Sequence, residues 1–206
     1  MPTDSGAALA GPSTRAPRLA RLITEVFAPA VWAAAMPMVI AVHAAESGRA
    51  GLAFGLLAVG FCSAIPYAMV WLGVRSGRLT DHHIGQREQR RTPLLLGLTS
   101  VAIGLTLLAV TGAPSQLIAA VAAGFTAGVG VTIANQFWKL SAHAAVSAGS
   151  VSVLVMVFGP ALLAGAIIVA LVGWSRVALG DHTTGQVLVG TVVGATLSAV
   201  TFGLLT

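Results

Sequence analysis

The sequence predicts an all-α membrane protein, a polytopic bundle of transmembrane helices, on three observations. Hydrophobic residues make up 56% of its 206 residues, and only 8% are charged, whereas about a quarter of a soluble domain is charged. Several uncharged stretches approach or exceed the roughly 20 residues that cross a hydrocarbon core as a helix. Neither a soluble domain nor an internal repeat interrupts them. We therefore expect residues 25–206 to form one transmembrane helical domain.

The uncharged stretches give the spans in chain order. They are Val26–Ala45, Ala50–Val74, Pro93–Gly112, Gln116–Ala134, Ala144–Gly173 and Thr183–Thr206. The fifth is too long for one span, and Gly159-Pro160 divides it, because proline suits the first turn of a new helix and breaks an old one. The expected count is seven spans, with six as the alternative.

Residues 1–24 form a basic N-terminal tail with Arg15, Arg18 and Arg21. The tail lacks the short apolar stretch and cleavage site of a removable signal peptide. We expect it to be partly disordered, up to about Pro17, and to continue as a short interfacial helix. The formal charge of +5 has no basic soluble domain to carry it. Anionic membrane lipids are therefore the expected partner, and nucleic acid is not.

Polar residues concentrate in three segments, residues 75–92, 135–143 and 175–186. Two predicted spans separate the first segment from the second, and two more separate the second from the third. An even number of crossings returns the chain to the same face, so all three segments and the N-terminus should share it. Ten of the eleven Lys and Arg residues fall on this face, against Arg49 on the other. The positive-inside rule makes it the cytoplasmic face.

The second and third segments place histidines at predicted helix starts. Ser141 is a good N-cap for a helix that contains His143, and a threonine after His182 can cap the last helix. The free N–H groups and the dipole of a helix N-terminus attract anions. Arg176 and the arginines of the first segment add guanidinium groups, which suit phosphate oxygens. The sequence therefore predicts an oxyanion site that would take a phosphorylated lipid.

The residues of the three polar segments also occur at a characteristic spacing. The third segment reads SRVALGDHTTGQVLVG, with five residues between Ser-Arg and His; the second contains SAH, and the first, GRLTDHHIGQREQRRTPLL, is arginine-rich. Together they resemble the three-part signature of the type 2 phosphatidic acid phosphatase superfamily, over roughly Arg75–Gly194. The chain is most similar to the short bacterial branch. The resemblance implies a type 2 phosphatidic acid phosphatase-like core in a bacterial cell membrane.

The resemblance also implies a role for each matching residue. His182 would attack phosphorus and become phosphohistidine, while His143 would protonate the leaving alkoxide and then activate water. Arg176 and Ser141 would bind the phosphate. Further candidates for phosphate binding are Arg87, Arg90, Arg91 and Lys139. Histidine titrates near neutral pH and cations stabilise the transferring group, so neither a metal nor another cofactor is expected.

The chain departs from the family pattern in each motif. The lysine of the first motif is absent, the proline and glycine of the second are Leu140 and Ala142, and the acid expected four residues after the nucleophile is Gln186. Residues four apart on a helix are neighbours, so Gln186 is predicted to accept a hydrogen bond from His182 and orient its ring. Asp181 should point elsewhere. These departures predict a slower enzyme or a changed substrate preference.

The leading hypothesis is a metal-independent membrane phosphatase. It would remove phosphate or pyrophosphate from phosphatidate, phosphatidylglycerophosphate or a prenyl (di)phosphate. One alternative is a non-hydrolytic protein that binds or translocates lipid phosphates, and another is a prenyl diphosphate transferase or lyase on the same scaffold. The sequence does not specify the lipid or the oligomeric state.

Three smaller predictions concern residues outside these motifs. His82 and its neighbours Asp81 and His83 are not expected to bind a metal, because adjacent side chains project in different directions. Asn135 and Gln136 are expected to end a helix rather than bind substrate. The two GxxxG pairs, beginning at Gly124 and Gly190, are expected to serve helix packing.

Overall fold

The structure is a computed structural model, and it describes residues 15–80, 82 and 89–206. These residues form helices joined by short connections, without a β-strand among them. The α-helices are α1 (Arg15–Val26), α2 (Pro29–Ala44), α3 (Gly48–Val59), α4 (Ile65–Arg75), α5 (Arg91–Val110), α6 (Ser115–Phe137), α7 (Ala142–Phe158), α8 (Ala166–Ala178) and α9 (Thr184–Leu205). The predicted disorder before Arg15 falls outside the described residues.

Six helical stretches of the described chain are long and apolar enough to cross a membrane. They are Pro17–Ala44, Gly48–Arg75, Arg91–Val110, Ser115–Phe137, Pro160–Ala178 and Thr184–Leu205. The remaining apolar helix, α7, has 17 residues, so six stretches meet the length of a span where seven were expected. All of this is compatible with an integral membrane protein.

The ends of α7 explain its length. Ser141 caps its start by accepting a hydrogen bond from the backbone N–H of Ala144. At its other end Gly159 has φ of 96°, in the region that favours glycine, and Pro160 then begins a 3₁₀ segment, Pro160–Gly165. The predicted break at Gly159-Pro160 is therefore confirmed. Because the Ser141 cap and the Gly159-Pro160 break are fixed by the sequence, α7 cannot be longer. It lies in the centre of the bundle and contacts α2, α6, α8 and α9.

The helix of the N-terminal span is interrupted. Helix α1 ends at Val26, and Pro29 begins α2 after a short non-helical link. Helix α1 packs against α8 through its apolar side, where Ala20 and Ile23 are buried. A short helix was predicted after about Pro17, and α1 already begins at Arg15. Its contact with α8 brings the predicted tail region beside the third polar segment.

The second span contains a π-helical turn, Gly60–Ala64, between α3 and α4. Such turns disturb the regular i to i−4 hydrogen bonds, and the freed groups need other partners. Ser100 of α5 donates a hydrogen bond to the carbonyl oxygen of Phe61 at 2.7 Å, and Ser63 donates to that of Ala30 in α2 at 2.7 Å. The π turn is therefore held by both neighbouring helices.

Helices α7 and α9 pack backbone to backbone through small residues. A Cβ at Gly194 would overlap the backbone of Ala145, and one at Gly190 would lie 2.7 Å from the carbonyl oxygen of Ser141. The packing role predicted for this GxxxG pair is confirmed. The prediction was wrong for Gly124, where a Cβ would meet nothing within 4 Å, because this residue faces a cavity.

Candidate functional site

The three polar segments meet at one end of the bundle. His182 of the third segment contacts the backbone of Lys139 in the second, and Arg90 of the first contacts Asn135 at the end of α6. The described parts of these segments thus lie at the same end of the bundle, as expected of segments that share a face. This meeting point is the candidate site.

The turn between α8 and α9 holds His182. Gly180 has φ of 73°, which lets the chain reverse at the end of α8. The backbone N–H groups of Asp181 and His182 then both donate to the carbonyl oxygen of Arg176, at 3.1 and 3.2 Å. Thr183 begins α9 as its N-cap. His182 is therefore fixed between the end of one helix and the start of the next, and it is 6% exposed.

The hydrogen bonds of His182 determine its tautomer. Its Nδ1 lies 3.2 Å from the carbonyl oxygen of Lys139 and 3.2 Å from Oε1 of Gln186. The backbone N–H of Thr183 donates to the same Oε1 at 3.1 Å, which identifies this amide atom as the oxygen. Both partners of Nδ1 accept, so Nδ1 carries the proton and Nε2 keeps its lone pair. The predicted contact between Gln186 and the ring is present.

Burial, together with the positive charges of Arg90 and Arg176, lowers the pKa of His182 from its ordinary 6.5 to about 4. The hydrogen bond to the Lys139 carbonyl opposes this decrease in part. At neutral pH the imidazole is therefore uncharged. An uncharged ring with a bare Nε2 is the form in which histidine acts as a nucleophile or a base.

His143 lies in the first turn of α7 and is 6% exposed. The helix start that carries it is joined to α9, because the backbone N–H of Ser141 donates to the carbonyl oxygen of Gln186 at 3.3 Å. Ser141 itself is fully buried, and its hydroxyl oxygen accepts from Ala144 as the helix cap. Both His143 and His182 line the same cavity, whereas Ser141 does not line it.

Arg90 also lines this cavity, at the start of α5. The side chain is 7% exposed, and its Nη1 donates to Oδ1 of Asn135 at 3.0 Å and to the carbonyl oxygen of Leu140 at 3.3 Å. The Asn135 amide is held in turn by its bond to the carbonyl oxygen of Val131 at 2.9 Å. Asn135 lies in the last turn of α6, as expected of a residue that ends a helix, and its buried amide in addition holds Arg90, which the sequence did not predict. A buried amide in an apolar span was the signal that could have revealed it.

Arg176 is buried beside the cavity and is not part of its wall. Its Nη2 pairs with a carboxylate oxygen of Asp181 at 2.9 Å, so Asp181 points away from His182 as predicted. Its Nη1 donates to Oγ1 of Thr24 at 3.4 Å, and Thr24 lies 3.0 Å from the hydroxyl of Ser175. Thr24 had been assigned to the tail, so the sequence did not reveal that it supports this arginine.

The other candidate cations have different positions. Lys139 is half-buried, and its backbone carbonyl holds His182. Arg91 is exposed on the first turn of α5 and lies outside the cavity wall. Arg87 falls outside the described residues. His82 pairs with Glu25 at 3.1 Å, and the described part of the chain holds no cluster of three or more metal-binding side chains.

The cavity has a volume of about 350 Å³ and runs from the histidines into the bundle. Residues of α2, the π turn, α4, α5, α6 and α7 form most of its wall. Arg90, Asn135, His143 and His182 line its end at the site, and its deep part is lined mainly by apolar residues such as Met36 and Val153, with Ser63, Ser150 and Ser198 among them. The site therefore combines a polar end that suits an anion with an apolar interior that suits a hydrocarbon.

The chain matches no family model, no curated protein and no solved structure. The resemblance to the phosphatidic acid phosphatases therefore stays a prediction.

Proposed function

We propose that this protein is a membrane phosphatase of the type 2 phosphatidic acid phosphatase superfamily, which removes phosphate or pyrophosphate from a lipid phosphate. One observation carries the proposal: an uncharged His182, with its tautomer fixed so that Nε2 keeps a lone pair, lines an apolar cavity beside a buried arginine. A nucleophile, cationic charge and room for a lipid are the elements that such a reaction requires.

In the first step Nε2 of His182 attacks phosphorus, and the bond between phosphorus and the lipid oxygen breaks. His143 donates its proton to the leaving oxygen, which departs as an alcohol or, from a diphosphate, as a lipid phosphate. Arg90 stabilises the charge on the transferring group, because its guanidinium lines the cavity. The positive charges of Arg176 and Lys139, which lie near the cavity without lining it, add to this stabilisation.

In the second step water attacks the phosphohistidine. His143, now neutral, takes a proton from the water, the P–N bond breaks and inorganic phosphate leaves. His182 returns to its neutral form with Nδ1 still protonated, held by Gln186 and the Lys139 carbonyl. The cycle consumes one water and needs neither a metal nor a redox partner. Candidate substrates are phosphatidate, phosphatidylglycerophosphate and prenyl (di)phosphates.

We place the site on the cytoplasmic side of a bacterial cell membrane. Ten of the eleven Lys and Arg residues belong to segments on the site face, which supports this orientation. The test is a cysteine at the exposed position Arg78, introduced after Cys62→Ala removes the native thiol. We expect a membrane-impermeant maleimide to modify it only after the cells are opened, and modification of intact cells would refute the orientation.

The central experiment measures phosphate release from a panel of phospholipid and prenyl (di)phosphates in detergent micelles with a chelator present. We expect release by the parent and at least about a thousandfold less by His182→Ala, since the nucleophile is removed. The matched control is His43→Ala, because His43 packs against Phe158 at the opposite end of the bundle. A substrate labelled with ³²P should leave acid-labile label on the parent and none on His182→Ala.

Two outcomes would contradict the proposal. One is no release from any substrate, and the other is release that does not depend on His182. Movement of lipid phosphate across proteoliposome membranes by both the parent and His182→Ala, without hydrolysis, would establish the translocator alternative.

A further inference from the structure

The cavity continues from the polar site deep into the bundle. Gly124 lies eleven residues before Asn135 on α6, which at 1.5 Å per residue places it about 16 Å below the level of the site. Ala120 and Val121 line the cavity one turn deeper still. On the facing helix α7 the lining extends from His143 to Val153. The interior therefore extends along α6 and α7 for several turns.

The helices around the deep part contact one another in sequence. Helix α2 contacts the π turn, which contacts α5; α5 contacts α6, α6 contacts α7, and α7 contacts α2 again. These helices form the wall of the interior, which is partly open at its exposed lining residues Glu25, Tyr67, His82 and Gly124. Pockets of about 300–1,000 Å³ enclose drug-sized ligands, and the cavity, at about 350 Å³, lies at the lower end of that range. It has room for one hydrocarbon chain and not for the two long chains of a diacyl lipid.

Polar side chains line one exposed part of the cavity. Glu25 and His82 lie 3.1 Å apart there, and both are exposed and line the cavity. Ala28 and Pro29 of the α1–α2 link and the half-exposed Tyr67 of α4 also belong to the lining. A second hydrocarbon chain that branched within a few bonds of phosphorus would have to cover polar groups such as the Glu25 carboxylate, and desolvating a polar group without a new partner is costly.

We propose that the interior is a binding site for one hydrocarbon chain, so that the substrate is a single-chain lipid phosphate, of prenyl or alkyl type, rather than a diacyl phospholipid. This inference rests on the proposed function, since the chain is aligned by its phosphate at His182 and Arg90. The interior selects by shape rather than by affinity, because lipid tails in a bilayer are as apolar as the cavity wall.

The parent protein provides the first test, which needs no substitution. Phosphate release is measured in mixed micelles for single-chain and diacyl phosphates at equal surface concentration. We expect kcat/KM to favour the single-chain substrates by at least about tenfold. Equal or greater activity on the diacyl substrate would overturn the inference and leave the proposed function standing. No release from any substrate would instead overturn the proposed function.

The second test fills the interior. A Cβ at Gly124 meets nothing within 4 Å, so the side chain of Gly124→Trp extends into the empty space. We expect kcat/KM for a long prenyl phosphate to fall at least about tenfold, and that for a phosphate of about five carbons to change less than about twofold. The control is Ile133→Trp, which adds the same side chain to an exposed position on α6 outside the cavity wall.

A third variant tests the same space from the opposite helix. Gly97 of α5 lines the cavity, and a Cβ there has its nearest neighbour, Cβ of Pro66, at 3.9 Å. Gly97→Leu should reproduce the selective loss of long-chain activity, and it decides the question if Gly124→Trp does not fold. Full long-chain activity in a folded filling variant, or an equal loss on long and short substrates, would overturn the inference.

Discussion

Replacing Gln186 by glutamate would raise the pKa of His182 without changing the local fold. Glutamate has nearly the same shape as glutamine and is an equally good partner of Thr183 in the capping box that begins α9. The substitution therefore adds a negative charge about 3.2 Å from Nδ1 of the ring and removes little else. It also adds that charge to the first turn of a helix, where it is favourable.

The magnitude follows from the distance. Two unit charges about 4 Å apart interact by about 4 kcal/mol at the effective dielectric constant of a protein surface. Gln186 is half-exposed, so solvent screening reduces the interaction to on the order of 2 kcal/mol. That energy strengthens proton binding by the ring about thirtyfold. The pKa of His182 should therefore move from about 4 back toward its ordinary 6.5.

Two assays measure this change. A ¹⁵N-imidazole NMR titration in micelles, with the signal assigned by its loss in His182→Ala, reports the pKa directly. In the proposed reaction His182 must be neutral to attack, so the acidic limb of the kcat/KM profile should follow its pKa. The parent should keep most of its kcat/KM at pH 5, and Gln186→Glu should lose most of it there while remaining active above pH 7.

The control places the same charge away from the ring. Thr184→Glu adds a carboxylate to the same exposed first turn of α9 and leaves the hydrogen bond between Gln186 and His182 in place. It should move the pKa far less. An unchanged pKa in Gln186→Glu, or equal changes in the two variants, would refute the contact as the determinant of the ring's protonation.

Two further predictions concern the packing and the anchoring of the site. Gly190→Ala would bring a Cβ to 2.7 Å from the carbonyl oxygen of Ser141, the N-cap of α7. It should destabilise the protein by about 1–3 kcal/mol in detergent unfolding. The control is Gly185→Ala, where a Cβ makes ordinary contacts and stability should change little. Asn135→Leu removes the amide acceptor of Arg90 and should raise KM for the lipid phosphate about tenfold with a smaller effect on kcat. Gln136→Leu, on the exposed side of the same helix, should leave KM unchanged, and equal effects of both variants would contradict the anchoring role.

The positions of the helices were largely predictable, because each depends on local properties of the chain. Uncharged stretches marked the spans, and Gly159-Pro160 marked the break after α7. The caps at Ser141 and Thr183 are likewise local, since a cap needs only the right side chain at a helix start. The length of α7 is the exception, as its two breakers leave 17 residues between Ser141 and Gly159 where hydropathy alone suggested a full span.

The parts of the site that sequence missed depend on packing between distant segments. Thr24 meets Arg176 across 152 positions of chain, and Asn135 meets Arg90 across 45. Periodicity and motif spacing describe neighbours along one helix, so they predict neither pairing, although an amide in an apolar span marks Asn135 itself. The cavity could not be predicted from the sequence for the same reason. The GxxxG spacing of Gly124 indicates packing, and only the positions of α5 and α7 show that this glycine lines a cavity.

The amide at position 186 suits the charges that surround it. Asp181 already pairs with the buried Arg176, so a negative charge compensates this arginine without facing His182. A second carboxylate at position 186 would make the ring more basic, and it would also repel the phosphate that the proposed reaction brings to Nε2. Gln186 holds Nδ1 and preserves the positive potential that Arg90 and Lys139 create. Gln186, the residue that departs most from the pattern of the phosphatase superfamily, is thus consistent with the proposed chemistry. With an amide at this position, the charge of the reacting group is stabilised by the cations beside the ring rather than by a carboxylate behind it.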